Sequence, residues 1–260
     1  TQGTFDGVHA GHQKILSQLC QRAAENNGES VVLTFFPHPR MVLQGKSDLK
    51  LLNTINEKME LLETIGMENL IIHPFDESFA QLSAEEFVKT VLVDRFQIQK
   101  IIIGHDHRFG KDRTGDILLL KNKAPEFGYE VKEIPGYMLK DITISSTKIR
   151  EALLNGNIST AHDLLGYDYF FTGKVVEGNQ LGRTIGYPTA NLQIADENKL
   201  IPGNGVYAVE VTNASCKDTS ICYTVSGLSI ENLKSNLNFT VYPNPNNGKF
   251  EIQAGEIQSQ

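Results

Sequence analysis

A chain of 260 residues holds one large domain or two small ones, and its apolar fraction of 40% supplies a real core. The formal charge of −7, with acidic and basic residues mixed along the chain, excludes a general nucleic-acid binder. It leaves room for a nucleotide site, where a few local cations and a helix N-terminus suffice.

The first predicted element is a helix over His12 to Ala24, which places Ile15, Leu16, Leu19, Cys20 and Ala23 on one face. Cys20 therefore reads as a core residue. Ser30 to Phe36 is a β-rich run after Gly28. Thr54 and Glu57 have capping-box spacing and open a helix through Met59, Leu62 and Ile65. Asn69 to His73 is the second strand. Ser83 and Glu86 repeat the capping box before Phe87, Val88, Val91 and Leu92. Lys100 to Gly104 and Tyr129 to Ile134 are the third and fourth strands. Runs this apolar suit strands covered on both faces. Strands alternating with helices imply crossovers and an open parallel α/β sheet, whose ligands bind beyond the strand carboxyl ends.

From Tyr167 the pattern changes to short β-type runs separated by glycines, Tyr169 to Val176 and Gly205 to Val211, which read as a separate β domain. After Val211, Asn, Ser, Thr and Gly dominate. There is no internal repeat and no heptad. No apolar run reaches the ~18 residues of a membrane helix, and no segment reads as a secretory leader. The chain opens on Thr1 rather than Met, so residues are expected to precede it. Cys216 and Cys222 lie close enough in sequence to pair in an exported protein, and no cysteine has metal-ligand spacing.

Chemistry concentrates first in Gly3-Thr4-Phe5-Asp6-Gly7-Val8-His9-Ala10-Gly11-His12. Gly11 lets the backbone approach a phosphate, the helix start offers unpaired N–H groups, and two histidines three apart can donate to phosphate oxygens as charge builds on them. The run resembles the HxGH signature of the nucleotidyltransferase superfamily, in the form found in bacterial bifunctional riboflavin kinase/FAD synthetases. The resemblance implies a Rossmann-like α/β domain that moves AMP from ATP to FMN, releasing FAD and pyrophosphate. His9 and His12 would contact the ATP phosphates and stabilise the transfer, with Phe5, Asp6 and Gly11 in the nucleotide loop.

Ile144-Ser145-Ser146-Thr147-Lys148-Ile149-Arg150 would by itself be an ordinary capped helix start. Together with the first run it resembles the second ATP motif of that family. Ser145, Ser146 and Thr147 would then bind ATP, with Arg150 assisting catalysis. Pro37, His38 and Pro39 follow the Ser30 to Phe36 run and match the family's flavin site. Asp106, in Gly104-His105-Asp106-His107-Arg108-Phe109-Gly110, matches its nucleotide site, although His107 stands where an aromatic residue is expected. Each of these residues taken singly also fits a polar loop. Asp76, Phe79 and Glu86 are given structural roles.

A third block runs from Gly173-Lys174 through Gly182 and Gly186 to Pro188-Thr189-Ala190-Asn191. Read without kinship it is a β-hairpin with a glycine-rich turn. As a whole it resembles the riboflavin kinase signature. That makes Gly173, Lys174, Gly182 and Gly186 the nucleotide loop of a small β-barrel, and Thr189 and Asn191 the ligands of Mg²⁺–ATP. The expected continuation, an Asn-Ile-Gly turn and a strand with a catalytic glutamate, does not follow Val211. Residues 212–260, with Asn238 to Pro245, instead resemble the sorting domain of type IX secretion, and a fusion is the expected origin.

The expected organisation is thus an adenylyltransferase domain over 1–166, a truncated riboflavin kinase domain over 167–211 and an unrelated tail. ATP, FMN and riboflavin are the implied substrates and Mg²⁺ the implied ion, with no nucleic-acid or membrane partner. The enzyme would be cytoplasmic, whereas the tail would imply export. Two rival readings remain, another HxGH nucleotidyltransferase and a non-enzymatic exported surface protein.

Overall fold

The computed structural model describes residues 1–44, 48–104, 107–134, 138–139, 142–176, 191–205, 207–214, 222–229, 242–243 and 250–251. The chain forms two compact units, one of residues 1–51 and 58–146, the other of residues 52–57 and 147–260.

In the first unit, α1 (Ala10–Glu25) leads to β1 (Val31–Phe36), and α3 (Ile55–Ile65) leads to β2 (Asn69–Pro74). β1 and β2 pair in parallel from Val31↔Asn69 to Phe36↔Pro74, and Gln2 makes a parallel bridge to Leu33. β3 (Lys100–Gly104) and β4 (Glu130–Ile134) form a second parallel pair. All four predicted strands are therefore present, as two parallel pairs, and buried side chains of both pairs pack on α1. Leu16 of α1 packs with Val32 of β1 and Leu62 of α3, while Leu19 packs with Ile102 of β3 and Ile134 of β4.

The alternate side chains of the same strands face the other way. Leu33, Ile101 and Ile103 join Phe87, Val88, Val91, Leu92, Leu120 and Tyr129. These come from a π-helix (Phe87–Arg95), from α6 (Ile117–Phe127) and from its flank. Each fully buried side chain of this kind contributes about 1.5–3 kcal/mol, which explains why both strand faces are apolar. The capping box of Ser83 and Glu86 opens the helical run as predicted, through α5 (Ala84–Glu86). The helix α3 departs from its predicted face. Met59 is 42% exposed, and its neighbour Lys58, at 6%, takes the inward position.

In the second unit, α7 (Ser146–Leu154) and α8 (Ile158–Leu165) precede an antiparallel sheet of β7 (Phe171–Val176), β8 (Asn191–Gln193), β9 (Ala208–Ala214) and β10 (Cys222–Ser229). The strand order is β8-β7-β10-β9. The tail was expected to supply no strand of the barrel, and the backbone corrects this. β10 lies between β7 and β9, pairing Val225 with Phe171 on one side and with Val211 on the other. An alternating run, Cys222-Tyr-Thr-Val, suffices for a paired strand once edges are available on both sides. Pro243 lies only in a two-residue pair with Phe250. Cys216 lies outside the described residues. Cys20 is partly exposed, with its thiol 3.3 Å from Met67 Sδ.

The interior of this unit is not purely apolar. Lys199 Nζ donates to Glu57 Oε2 and to the Leu52 carbonyl, both at 2.6 Å, and to the Phe170 carbonyl at 2.9 Å. It also lies 4.5 Å from the centre of the Tyr169 ring. Glu57 keeps its capping-box role, accepting from Thr54 N at 2.9 Å, and accepts from Thr172 N at 3.2 Å.

Candidate active site

The turn before α1 is held in an unusual backbone. Phe5, Gly7 and Val8 have φ of 44°, 87° and 34°. Left-handed conformations are costly for a residue with a Cβ, most of all a β-branched one, and persist where the surroundings impose them. Here the Phe5 and Val8 side chains are buried in the cluster with Leu16, Val32 and Leu62. The main chain is tied as well. Gln13 Nε2 donates to the Val8 carbonyl at 2.9 Å, Lys58 Nζ to the Thr4 carbonyl at 2.7 Å, and Ser146 Oγ to the Asp6 carbonyl at 2.8 Å.

The turn delivers His9 to the N-cap of α1, where its Nδ1 accepts from His12 N at 3.3 Å. A neutral His9 that accepts at Nδ1 carries its proton on Nε2, which fixes the tautomer. The His9 and His12 rings stack at 3.6 Å with 14° between planes, and Phe5 meets His12 edge-on at 5.1 Å. His12 Nδ1 is buried with no hydrogen-bond partner among the described residues. Burial, reinforced by the nearby His9 and Lys58, holds the His12 imidazole well below the usual histidine range, so it is neutral. Gly11, partly buried, sits in the first turn of α1, where backbone N–H groups have no carbonyl of the same helix to bond.

The other predicted residues fall at strand ends or on α7. Pro37 is exposed, and His38 caps the short α2 (Pro39–Leu43) by accepting from Arg40 N at 3.2 Å. Ser146, at the start of α7, meets the turn before α1 through its bond to the Asp6 carbonyl. Ser145 is partly buried just before α7, and Thr147 and Arg150 share a face of that helix at a spacing of three. Asp106 lies outside the described residues. His107 is 2.6 Å from Gln2 Nε2, and its ring lies 6.0 Å from that of Phe109.

In the second unit, Gly173 and Lys174 lie on β7 and Asn191 is the exposed first residue of β8. A Cβ at Gly173 would come within 2.9 Å of Ile194, so packing alone accounts for that glycine. Gly182, Gly186 and Thr189 lie outside the described residues. Among the described residues no group of three or more His, Cys, Asp or Glu side chains could hold a metal ion, and no helix is long and apolar enough to cross a membrane.

A family model described as FAD synthetase matches residues 1–148, and one described as riboflavin kinase matches residues 165–251. This chain belongs to the FAD synthetase family. Similar curated proteins are bifunctional riboflavin kinase/FMN adenylyltransferases. That of Buchnera aphidicola from Schizaphis graminum is 43% identical over 212 residues, covering 81% of this chain and 67% of the relative. That of Haemophilus influenzae is 40% identical over 211 residues, covering 81% and 68%. That of Escherichia coli K12 is 36% identical over 211 residues, covering 81% and 67%. A crystal structure described as a macrolide-efflux protein of Streptococcus pneumoniae is similar with a TM-score of 0.72 and 32% identity, covering 89% of this chain and 79% of that one. The riboflavin kinase match continues past Val211 to residue 251.

Two features of this FAD synthetase were not visible in its sequence. One is Lys58, buried beside the turn. Burial lowers its ammonium to about 8, with Asp6 opposing the shift. The other is an aromatic cluster at the carboxyl ends of β1 and β2. Phe79 is its hub, 5.6 Å from Phe35, 5.6 Å from Phe75, 4.4 Å from His73 and 6.0 Å from Phe87 by ring centres. Phe79, Asp76 and Glu86 thus have the structural roles expected of them. Asp76 caps α4 (Glu77–Ala80), accepting from Phe79 N at 2.7 Å.

Proposed function

We propose that this chain joins the terminal phosphate of FMN to the AMP part of ATP. A phosphate oxygen of FMN attacks the α-phosphorus, the bond from that phosphorus to the β-phosphate oxygen breaks, and FAD and pyrophosphate leave. The observation that carries this is the stacked His9–His12 pair on a strained turn at a helix start. In this reading its donors would meet the charge that grows on the transferring phosphate, where preorganised donors act most strongly. His9 is assigned to the phosphates through Nε2, since its Nδ1 serves the cap. Gly11 and the first turn of α1 offer backbone N–H groups. Ser145, Ser146, Thr147 and Arg150 are assigned to ATP, and Pro37, His38 and Pro39 to the flavin. No covalent enzyme intermediate is required, so alignment and charge stabilisation account for the rate.

Mg²⁺ would neutralise phosphate charge during either transfer. In the kinase half Asn191, an exposed oxygen donor, suits a hard cation, and Thr189 is assigned beside it. Riboflavin phosphorylation is the second activity of the family. It is expected to be weak in this chain, because the Asn-Ile-Gly turn and the glutamate-bearing strand expected of the kinase do not follow directly on Val211, which leaves no base assigned to deprotonate the riboflavin hydroxyl. Residues 212–260 are read as a tail of separate origin that lends β10 to the sheet. Incubation with FMN, ATP and Mg²⁺, followed by chromatography, tests the main reading. FAD and pyrophosphate should appear in equal amounts, and the absence of FAD would reject it.

A further inference from the structure

Lysine is rarely buried unless it is paired and purposeful. On α3 the inward positions Lys58, Leu62 and Ile65 follow helical spacing, so an apolar side chain at 58 would satisfy the pattern. The chain instead places an ammonium there, 6% exposed, against the Thr4 carbonyl at 2.7 Å. A break in an otherwise consistent core pattern marks a functional position more often than an error. Resting on the proposed adenylyl transfer, we infer that Lys58 is a positioning residue for that reaction. Its buried ammonium pins the Thr4–Val8 turn and, through it, sets the stacked His9–His12 pair for the phosphates.

Two physical links support this. The first is mechanical. Thr4 lies just before Phe5, Gly7 and Val8, the left-handed residues of the turn, so a fixed carbonyl at Thr4 helps impose the turn that ends in His9. The second is electrostatic. Asp6 of the turn acts on this ammonium, and His9 and the ammonium act on the His12 imidazole. Asp6, 3% exposed, favours the charged lysine, and the charged lysine disfavours a second cation on His12. Lys58 therefore helps to keep His12 neutral. A merely structural lysine would hold the turn without governing the protonation of His12.

The test uses the full chain with Lys58→Met, which keeps the stem and removes the charge, and Lys58→Arg, which keeps the charge. FAD formation in Lys58→Met should fall roughly 10- to 100-fold, the loss that follows from misplaced catalytic groups. The acid limb of its pH–rate profile should move to higher pH, and the NMR titration of His12 should move with it. Lys58→Arg should restore the titration and most of the rate. Unchanged rate, profile and His12 titration in Lys58→Met would overturn the inference. Should Lys58→Met fail to fold, the wild-type chain decides. Burial lowers the Lys58 ammonium to about 8, so raising the pH from about 7 to about 9 should shift the His12 resonances. No shift would overturn the inference. A wild-type chain that makes no FAD would reject the functional reading instead, and the resonance test is independent of that outcome.

Discussion

Lys199 Nζ lies 2.6 Å from Glu57 Oε2, joining residues 142 positions apart with both side chains almost wholly removed from water. Taking one partner away leaves an uncompensated buried charge, which costs about 3–5 kcal/mol. Lys199→Met or Glu57→Gln should therefore lower the denaturant midpoint of the second unit. Glu57→Gln should be the milder change, since an amide still hydrogen-bonds. Lys199→Met combined with Glu57→Leu should recover part of the loss, because two apolar groups leave no charge stranded. A double variant as unstable as the sum of Lys199→Met and Glu57→Leu measured singly would show that the pair is not one interaction.

His12 and His9 should separate chemistry from stability. His12→Ala should reduce FAD formation by roughly two to three orders of magnitude, as loss of a transition-state donor does. Its folding should survive. His9→Ala should lose activity and also about 0.5–2 kcal/mol of stability, because its Nδ1 caps α1. Steady-state rates beside thermal unfolding distinguish the two. An undiminished rate in His12→Ala would reject its assignment.

The His12 imidazole, partly exposed but with its Nδ1 buried, gives stability a pH dependence of known sign. The folded-state value of His12 lies well below the ordinary 6.5, so the unfolded chain binds the proton first as pH falls. The contribution of His12 to stability is full above the unfolded value and is lost as pH falls through the folded one. Between about pH 7.5 and about pH 5.5, wild-type stability should drop more than that of His12→Ala. Equal slopes of unfolding midpoint against pH in the two proteins would contradict the burial of a neutral His12.

Removing residues 215–260 tests whether β10 supports the second unit. β7 and β9 each pair with β10 and not with each other, so the truncation leaves both with an open edge. Hydrogen exchange should show faster amide exchange in Phe171–Val176 and Ala208–Ala214, while α1 and β3 remain protected. FAD formation by the truncated chain should persist, since its residues lie earlier. Unchanged exchange in β7 would show that β10 contributes nothing to the sheet.

Much of the first unit was legible because its signals are local. The four strands announce themselves as apolar runs, and the capping boxes at Thr54 and Ser83 fix helix starts from residues three apart. The histidine pair was legible for the same reason, since His9 and His12 lie on one turn of one helix. The inward position of Lys58 was not, because periodicity favours the neighbouring Met59 until α3 is set against the Thr4–Val8 turn. The strand β10 was missed on composition, which does not report the edges a run will find.

The sequence by itself determined the order of strands and helices, the two histidines at a helix start, and kinship with FAD synthetases. Each of these depends on residues close together in the chain. The tertiary structure alone decided which charges are buried and what they face. It placed Lys58 against the Thr4 carbonyl, kept His12 neutral, matched Lys199 to Glu57, and set β10 between β7 and β9. Desolvation and pairing are properties of neighbours in space, and those neighbours lie tens to more than a hundred residues apart in the chain.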